Sequence, residues 1–378
     1  MSREFRMPSL GADMQAGTLV EWRVQPGARV RRGDVMALVE TEKGIIDIES
    51  FEDGVVERLS VQPGVRVPVG ATLAFFEGEP TSVAAAQPAA TPPAAMPPTA
   101  APPAARAQRV SPAARAKAAQ LGIDPQAVRG TGPQGVVTLQ DIERAAAGPR
   151  PSGATAAGPD GMRNAIAVSM SRSKREIPHY YLQHEMDLGP TLEWLEQFNA
   201  SRPVPERLLM AALFNKAAAR AAAEKPGFNG YYGSRGFESA KAVHLGVAIA
   251  LRGGGLVAPA ILDADQKALP VLMTELKDLV ARVRAGHMRS SEISSATITV
   301  TSLGDEGVDV VYPIIHPPQV AIVGFGSVAQ RPWVIDGRIE PRPVVSVTLA
   351  ADHRVTDGRL GAQFLAHIRD LLARPAEL

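Results

Sequence analysis

The chain has 378 residues, a formal net charge of +1, no cysteine, and many glycines (34) and prolines (32). Without cysteine it has no disulfide, no protein thiolate nucleophile and no cysteine-based metal site, and we predict no metal centre. A charge near zero favours neither nucleic acid nor a membrane surface as a partner. The length predicts two or three domains. Residues 1–10 lack a signal-peptide pattern and no run of 18 apolar residues occurs, so we expect a cytoplasmic protein.

A ten-residue repeat dominates the first 80 residues. Residues 24–33 (VQPGARVRRG) recur as residues 61–70 (VQPGVRVPVG). Each Gln-Pro-Gly is a turn signal, because proline presets φ and glycine permits φ > 0, and the flanks are typical of strands. Two copies of one strand–turn–strand unit predict a small β-sandwich over residues 1–80. Lys43, midway between the copies, would lie at an exposed hairpin tip, where it is available for covalent modification.

Two stretches are predicted to be linkers. Residues 81–108 are nearly all alanine, proline and small polar residues, and they cannot bury enough apolar surface to fold. Their prolines favour polyproline II, which gives a reach of roughly 85 Å at about 3.1 Å per residue. The second predicted linker is residues 148–160.

Between these linkers, residues 109–147 predict a small helical unit. Ser111 and Pro112 supply the N-cap and the first-turn proline of one helix, which Gly122 can close. Thr138 with Asp141 resembles a capping box for a last helix that runs to residue 147.

Residues 161–378 have the length and patterning of one α/β domain. Apolar spacing predicts helices over residues 205–224 and 266–286. Apolar runs predict strands over residues 296–302, 319–326 and 344–351, and a final helix over residues 360–373. His353 directly follows the last strand, within residues 352–358 (DHRVTDG). Polar clusters at such junctions frequently carry chemistry, although a structural ion-pair junction is an equal alternative from these residues alone.

The first domain resembles the lipoyl domain of the acyltransferase component of 2-oxo-acid dehydrogenase complexes. The matching segments are residues 7–11 (MPSLG) and 40–44 (ETEKG). In that family the lysine carries lipoate in amide linkage, which implies lipoylation of Lys43. Biotin carriers share the fold but usually flank the lysine with methionine, whereas here its neighbours are Glu42 and Gly44. A biotin carrier is therefore the weaker alternative.

The other two domains resemble the same family. Residues 109–147 resemble its peripheral-subunit-binding domain, which docks the 2-oxo-acid decarboxylase (E1) or the dihydrolipoamide dehydrogenase (E3), and Arg115 matches a docking position. Residues 352–358 match the DHRxxDG signature of its catalytic domain. The resemblance implies a multidomain protein: a flattened all-β lipoyl sandwich, a small helical subunit-binding domain and an α/β catalytic domain like chloramphenicol acetyltransferase.

The resemblance also implies a reaction, the transfer of an acyl group between dihydrolipoamide and coenzyme A. His353 would be the general base towards the thiol, and Thr301 would donate its hydroxyl to the oxyanion. Asp357 would fix the histidine loop through an ion pair. Arg172 is a candidate for that ion pair or for a contact with coenzyme A phosphates.

Family members form homotrimers that build a cubic or icosahedral core, with His353 and Thr301 supplied by neighbouring chains. The acyl group stays open, because Asp305 and Glu306 depart from the apolar residues common in relatives. A lipoylated scaffold or binding component with impaired transfer is the alternative function.

Overall fold

The computed structural model describes residues 2–9, 14, 16–41, 44–77, 111–121, 136–139, 141–142, 159–251 and 255–378. The chain divides into two compact units, one of Met1–Pro80 with Ala157–Leu378 and the other of Thr81–Ala156. Among the described residues, no helix is long and apolar enough to cross a bilayer.

The N-terminal part contributes four strands to each of the two sheets of a sandwich, which confirms the predicted all-β domain, and a fifth strand from the C-terminal part joins the second sheet. The sheets have the strand orders β1-β8-β6-β3 and β5-β4-β2-β7, and fully buried side chains such as Leu19, Met36, Ile46 and Phe76 fill the interior. Its strands are β1 (Arg3–Arg6), β2 (Ala16–Trp22), β3 (Arg29–Val30), β4 (Val35–Thr41), β5 (Gly44–Glu49), β6 (Gly54–Leu59), β7 (Arg66–Pro68) and β8 (Thr72–Glu77).

The two copies of the repeat have the same backbone geometry. Gly27 and Gly64 both have φ of +87°, in the left-handed region that only glycine occupies without strain. Each of these glycines ends a Gln-Pro-Gly turn and precedes a short strand, β3 or β7. The predicted turns are therefore confirmed at equivalent positions of the two copies.

The helical unit contains α1 (Pro112–Leu121). The Ser111 hydroxyl accepts a hydrogen bond from the Ala114 amide at 3.2 Å, which is the predicted N-cap. The backbone amide and the hydroxyl of Thr138 both donate to Asp141 at 2.9 Å, which is the carboxylate half of the predicted capping box. A small buried cluster holds these segments: Ala114, Ala118, Val137 and Ile142. Gly122 and residues 143–147 lie outside the described residues.

The C-terminal part is an α/β domain built on a seven-stranded mixed sheet, as predicted. The order is β15-β12-β17-β18-β20-β19, and β9 pairs with the other part of β20. Its strands are β9 (His179–Asp187), β10 (Gly230–Gly233), β11 (Gly236–Ser239), β12 (Leu245–Val247), β13 (Ile249–Ala250), β14 (Leu256–Val257), β15 (Ala260–Ile261), β16 (His287–Arg289), β17 (Ile298–Ser302), β18 (Ala321–Phe325), β19 (Ala329–Ile335) and β20 (Arg338–Asp352). Its helices are α2 (Pro159–Glu176), α3 (Gly189–Ala200), α4 (Met210–Glu224), α5 (Leu269–Arg284), α6 (Ser290–Ser294) and α7 (Gly358–Ala373).

The predicted elements exist, but several begin elsewhere. Helix α4 begins at Met210 instead of residue 205, because Val204–Glu206 form a separate 3-10 turn and Leu209 is extended. Strand β20 begins at Arg338, six residues before the apolar run, because its first half pairs with β19 as an exposed hairpin. Helix α2 begins at Pro159, within the last two residues of the predicted second linker.

Two aromatic contacts fix the helices α4 and α7 within the C-terminal domain. Phe214 of α4 stacks on Phe325 of β18 with ring centroids 4.3 Å apart. Phe364 of α7 packs against Phe228 at 4.6 Å. Helix α7 follows the turn that carries His353, so this packing anchors one end of that turn.

Candidate active site

The turn between β20 and α7 is held by one ion pair, which joins the two residues on either side of His353. Asp352, the last residue of β20, is fully buried. The Arg354 Nε lies 2.9 and 3.1 Å from the two Asp352 oxygens, and its Nη2 lies 2.6 Å from Oδ2. The guanidinium also lies 3.8 Å above the Tyr232 ring. Hydrogen bonding to Asp352 raises the pKa of Arg354, so the guanidinium stays charged.

The backbone of His353 is fixed while its ring stays accessible. The His353 amide donates to the Pro178 carbonyl at 3.0 Å, and the Asp352 amide donates to Val320 at 2.9 Å. The Thr356 amide closes the turn onto the Asp352 carbonyl at 3.1 Å. His353 itself is exposed. A rigid backbone under an accessible imidazole is the arrangement that a general base needs.

Tyr180 orients the His353 ring from the neighbouring strand. The two rings meet edge to face, with centroids 5.2 Å apart and planes at 70°. The Tyr180 hydroxyl lies 2.8 Å from Thr356 Oγ1, which fixes the phenol. Burial raises the pKa of Tyr180, so the phenol is neutral and can serve as a hydrogen-bond donor.

His179 joins β9 to the loop before β18. Its Nδ1 lies 2.9 Å from the Ile177 carbonyl, and its Nε2 accepts the Ile315 amide at 3.1 Å. A carbonyl only accepts and an amide only donates, so Nδ1 carries the proton and the ring is neutral. Burial lowers the pKa of His179 in agreement with that form. This histidine is structural, and it pairs in register with Asp352.

Asp357 holds the catalytic loop differently from the prediction. It is the N-cap of α7, and its Oδ1 accepts the Leu360 amide at 2.9 Å. Arg172 Nε instead lies 3.0 Å from Glu176, four residues on along α2. No salt bridge joins Asp357 to an arginine within the described part of the chain. The predicted ion pair is therefore replaced by a helix cap, because Asp357 directly precedes the first turn of α7.

Thr301 is a half-buried residue near the end of β17. Two positions earlier, Thr299 is buried and donates to Gln319 Oε1 at 2.7 Å. The following Ser302 is exposed and accepts the Gly304 amide at 3.4 Å. No partner for the Thr301 hydroxyl occurs among the described residues. Thr299 has thus given its hydroxyl hydrogen to Gln319, whereas the hydroxyls of Thr301 and Ser302 can still donate to a substrate.

One chain does not bring Thr301 and His353 together. Thr301 pairs with Gly324 of β18, whereas Ala351, two residues before His353, pairs with Ala321. The two residues are therefore separated by two strand spacings and about five positions along the strands, roughly 15–20 Å in all. They can act on the same reacting atom only if two chains contribute to one site.

The predicted lipoate attachment residue is Lys43, and the predicted docking residue is Arg115. Lys43 is outside the described residues, while the flanking Thr41 and Gly44 pair as the last partners of the β4–β5 hairpin. The Thr41 hydroxyl also donates to the Gly44 carbonyl at 3.0 Å. Arg115 is exposed on α1, as a docking residue requires.

Sequence reasoning assigned no role to Tyr180, His179 or Arg354, although Arg354 lies within the DHRVTDG motif. Residues 179–187 (HYYLQHEMD) contain aromatic and polar residues but no β-branched residue. Apolar and polar side chains do not alternate regularly there, so strand β9 was not predicted. The Asp352–Arg354 pair follows from a spacing of two residues across a turn, which no helical or strand period indicates.

Comparison with known families assigns all three domains. The model for 2-oxoacid dehydrogenases acyltransferase (catalytic domain) matches residues 153–378. The biotin/lipoyl model, described as a biotin-requiring enzyme, matches residues 3–76. The "e3 binding domain" model matches residues 109–143.

Individual relatives cover the whole chain or its catalytic part. The dihydrolipoyllysine-residue acetyltransferase component of the pyruvate dehydrogenase complex of Zymomonas mobilis is 29% identical over 435 residues, with 99% of each chain covered. The cubic core of a pyruvate dehydrogenase multienzyme complex is 30% identical, with a TM-score of 0.54, over 57% of this chain and 91% of that one. The dihydrolipoamide acetyltransferase of Azotobacter vinelandii gives the same values, and its structure belongs to an investigation of the role of a serine, a histidine and an asparagine in the catalytic mechanism.

Proposed function

This chain belongs to the 2-oxoacid dehydrogenase acyltransferase family, and from that premise we propose that it transfers an acyl group between dihydrolipoamide on Lys43 and coenzyme A, with His353 as the general base. It is an acyltransferase with a lipoyl domain and an "e3 binding domain". The observation that carries the proposal is the accessible His353 imidazole on a backbone fixed to Pro178 and flanked by the Asp352–Arg354 pair.

The chemistry assigned to His353 is proton transfer between two thiols. A thiol has an ordinary pKa of about 8.5 and an imidazole one of about 6.5, so a neutral His353 can accept the coenzyme A proton as the sulfur attacks the acyl carbon. The same imidazole returns the proton to the departing sulfur. Lipoate attached to Lys43 supplies the dithiol that carries the acyl group.

The oxyanion on the acyl carbon needs a hydrogen-bond donor, and Thr301 is the proposed one. The spacing between Thr301 and His353 equals that between the serine and the histidine named for the Azotobacter enzyme. Asp357 follows His353 at the spacing of that enzyme's asparagine. In this chain the position carries a carboxylate, whose role is to cap α7 and so fix the end of the catalytic loop.

The strand register supports a site shared between two chains. Thr301 and His353 of one chain lie roughly 15–20 Å apart by strand geometry, too far for both to contact one acyl group. We therefore assign Thr301 to one subunit and His353 to its neighbour in a homotrimer. Trimers would build the larger core of the complex.

The partners follow from the other domains. The helical unit, with Arg115 exposed on α1, would hold the decarboxylase (E1) or the dihydrolipoamide dehydrogenase (E3). The relatives are named acetyltransferases of pyruvate dehydrogenase complexes, which supports acetyl as the acyl group.

Two assays on the full chain test this function. The first measures acetyl transfer from acetyl-coenzyme A to free dihydrolipoamide, which we expect to proceed. The second compares wild type with Lys43→Arg, which should abolish the coupled activity of the complex and spare transfer to free dihydrolipoamide. No transfer by assembled protein would contradict the enzyme assignment and favour a lipoylated scaffold. Coupled activity that survives Lys43→Arg would contradict the attachment site.

A further inference from the structure

We propose that the short strand β16 is a docking edge on the catalytic domain for the lipoyl domain of the same chain. Strand β16 pairs in parallel with β5, which makes it the fifth strand of a lipoyl-domain sheet with the order β16-β5-β4-β2-β7. The paired residues are His287 with Ile45, Met288 with Ile46 and Arg289 with Asp47.

The pairing covers two strand edges that would otherwise be open. Without β16, strand β5 is the edge of its four-stranded sheet and exposes a row of backbone donors and acceptors. Within the described part of the chain, β16 pairs with no strand other than β5. Addition of a strand to an open edge is a recurrent mode of recognition, in which backbone hydrogen bonds supply affinity and side chains supply specificity.

The side chain of Glu49 supplies specificity at the end of the pairing. Its carboxylate is only 9% exposed, and a buried carboxylate needs hydrogen-bond donors. The Ser291 amide donates to Glu49 Oε2 at 3.3 Å, and the Ser291 hydroxyl donates to the same oxygen. The Glu49 amide in turn donates to Ser290 Oγ at 3.2 Å. All of these partners belong to the catalytic domain, so this lipoyl-domain carboxylate is satisfied by docking.

Charge and apolar contacts agree with this arrangement. Arg289 lies opposite Asp47 in the register, and its Nε is 4.0 Å from Glu49 Oε1, so a basic strand meets an acidic one. Met288 is 1% exposed, and its Cε lies 3.6 Å from the position where a side chain of Gly44 would begin. Gly44 is the residue after Lys43, so docking holds this flank of the lysine hairpin against the catalytic domain.

The interface is small, with three residue pairs and one buried carboxylate. Contacts of this size are typical of transient encounters, and covalent linkage to the catalytic domain in one chain raises the local concentration of the lipoyl domain to about the millimolar range. The lipoyl domain would therefore return to β16 between visits to the partner enzymes. This inference concerns only where the lipoyl domain docks, so its test does not depend on whether the chain transfers acyl groups.

Cross-linking of the full chain tests the docking, because the natural sequence has no cysteine. In the double variant Asp47→Cys/Arg289→Cys the two Cα atoms lie on adjacent strands, about 4.8 Å apart, within the range that a disulfide bridges. The control is Asp47→Cys/Arg235→Cys, because the Arg235 side chain is 84% exposed and Arg235 is not among the residues that pair with β5. Both variants carry the same lipoyl group, which can react with cysteines in either of them. The ratio of the two oxidation rates therefore reports where the lipoyl domain lies on the catalytic domain.

We expect the docking pair to oxidise at least ~10-fold faster than the control pair, within single chains on a non-reducing gel. Adding Glu49→Ala should slow that oxidation, whereas adding Glu57→Ala, an exposed position on β6, should not. Equal rates for the two cysteine pairs would overturn the docking. Cross-linked dimers as the main product would overturn its assignment to a single chain.

Discussion

The chemistry of this molecule rests on single side chains whose surroundings decide what they can do. His353 is exposed but its backbone is tied to Pro178, while Tyr180 meets its ring edge to face. His179, nearby on β9, is half-buried and has both ring nitrogens hydrogen-bonded. The first can exchange protons with a substrate, and the second can only hold the fold together.

Thr301 provides a direct test of oxyanion stabilisation. Thr301→Ala should lower kcat about 100- to 1,000-fold with little change in KM, since one oxyanion donor is lost. Thr301→Ser should retain most activity because the hydroxyl remains. The matched control is Ser302→Ala on the next residue of β17. Steady-state transfer from acetyl-coenzyme A to dihydrolipoamide measures all three, and equal losses in the alanine variants would contradict the assignment.

His179 predicts a pH dependence of stability. Burial lowers its pKa below the ordinary 6.5, so the unfolded chain binds a proton that the folded chain does not. Its contribution to stability is complete above about pH 6.5 and falls as the pH drops towards the folded-state value. His179→Gln should therefore show a smaller decrease of Tm than wild type between about pH 7.5 and 5.5. Parallel Tm curves for the two proteins would count against this role.

At the scale of single residues, the roles of His353 and Thr301 stay predictions, whereas Asp357 was assigned an ion-pair partner that the described structure does not give it. A cap needs only the local chain direction, and Asp357 stands immediately before the predicted helix. The cap was thus available from the sequence. The contact of Tyr180 with His353 was not, because it depends on which strand lies beside β20.

The duplicated turn is the element whose geometry the sequence predicts most directly. Gly27→Ala and Gly64→Ala should each cost about 1–2 kcal/mol, because alanine is strained at positive φ. An added Cβ meets nothing within 4 Å at either site, so the cost comes from the backbone alone. Hydrogen exchange of the buried Leu19 and Ile46 amides in the full chain measures local stability. A large cost at one copy and none at the other would show that the copies are not equivalent.

Elements with a strong apolar period were predicted correctly, and those defined by pairing were not. The apolar spacing over residues 266–286 gave helix α5, and the apolar run after residue 344 gave the buried half of β20. Strand β16 is only three residues long and has no period of its own. It exists through its register with β5, which is information that no local window of sequence contains.

The whole molecule differs from a set of independent domains. Composition predicted modules joined by linkers, and all three modules match known families. The contacts nevertheless place the lipoyl sandwich and the catalytic domain in one compact unit. The family resemblance explains each domain, whereas the joint sheet through β16 follows only from the three-dimensional pairing.

The active site that we propose to be shared between subunits predicts complementation between two inactive chains. Oligomers assembled from His353→Ala and Thr301→Ala chains contain sites in which the intact histidine of one variant faces the intact threonine of the other. Random assembly makes about one site in four complete. The mixed oligomer should recover roughly that fraction of wild-type activity, although each variant alone is impaired. If the mixed oligomer is no more active than the average of the His353→Ala and Thr301→Ala proteins, the site lies within one chain.

The most direct test of the account is the rate of acyl transfer by His353→Ala in correctly assembled protein. With free dihydrolipoamide and acetyl-coenzyme A, loss of the general base should lower kcat about 100- to 10,000-fold, while His287→Ala, at an exposed histidine, should keep the wild-type rate. Transfer by His353→Ala at the wild-type rate would contradict the central claim.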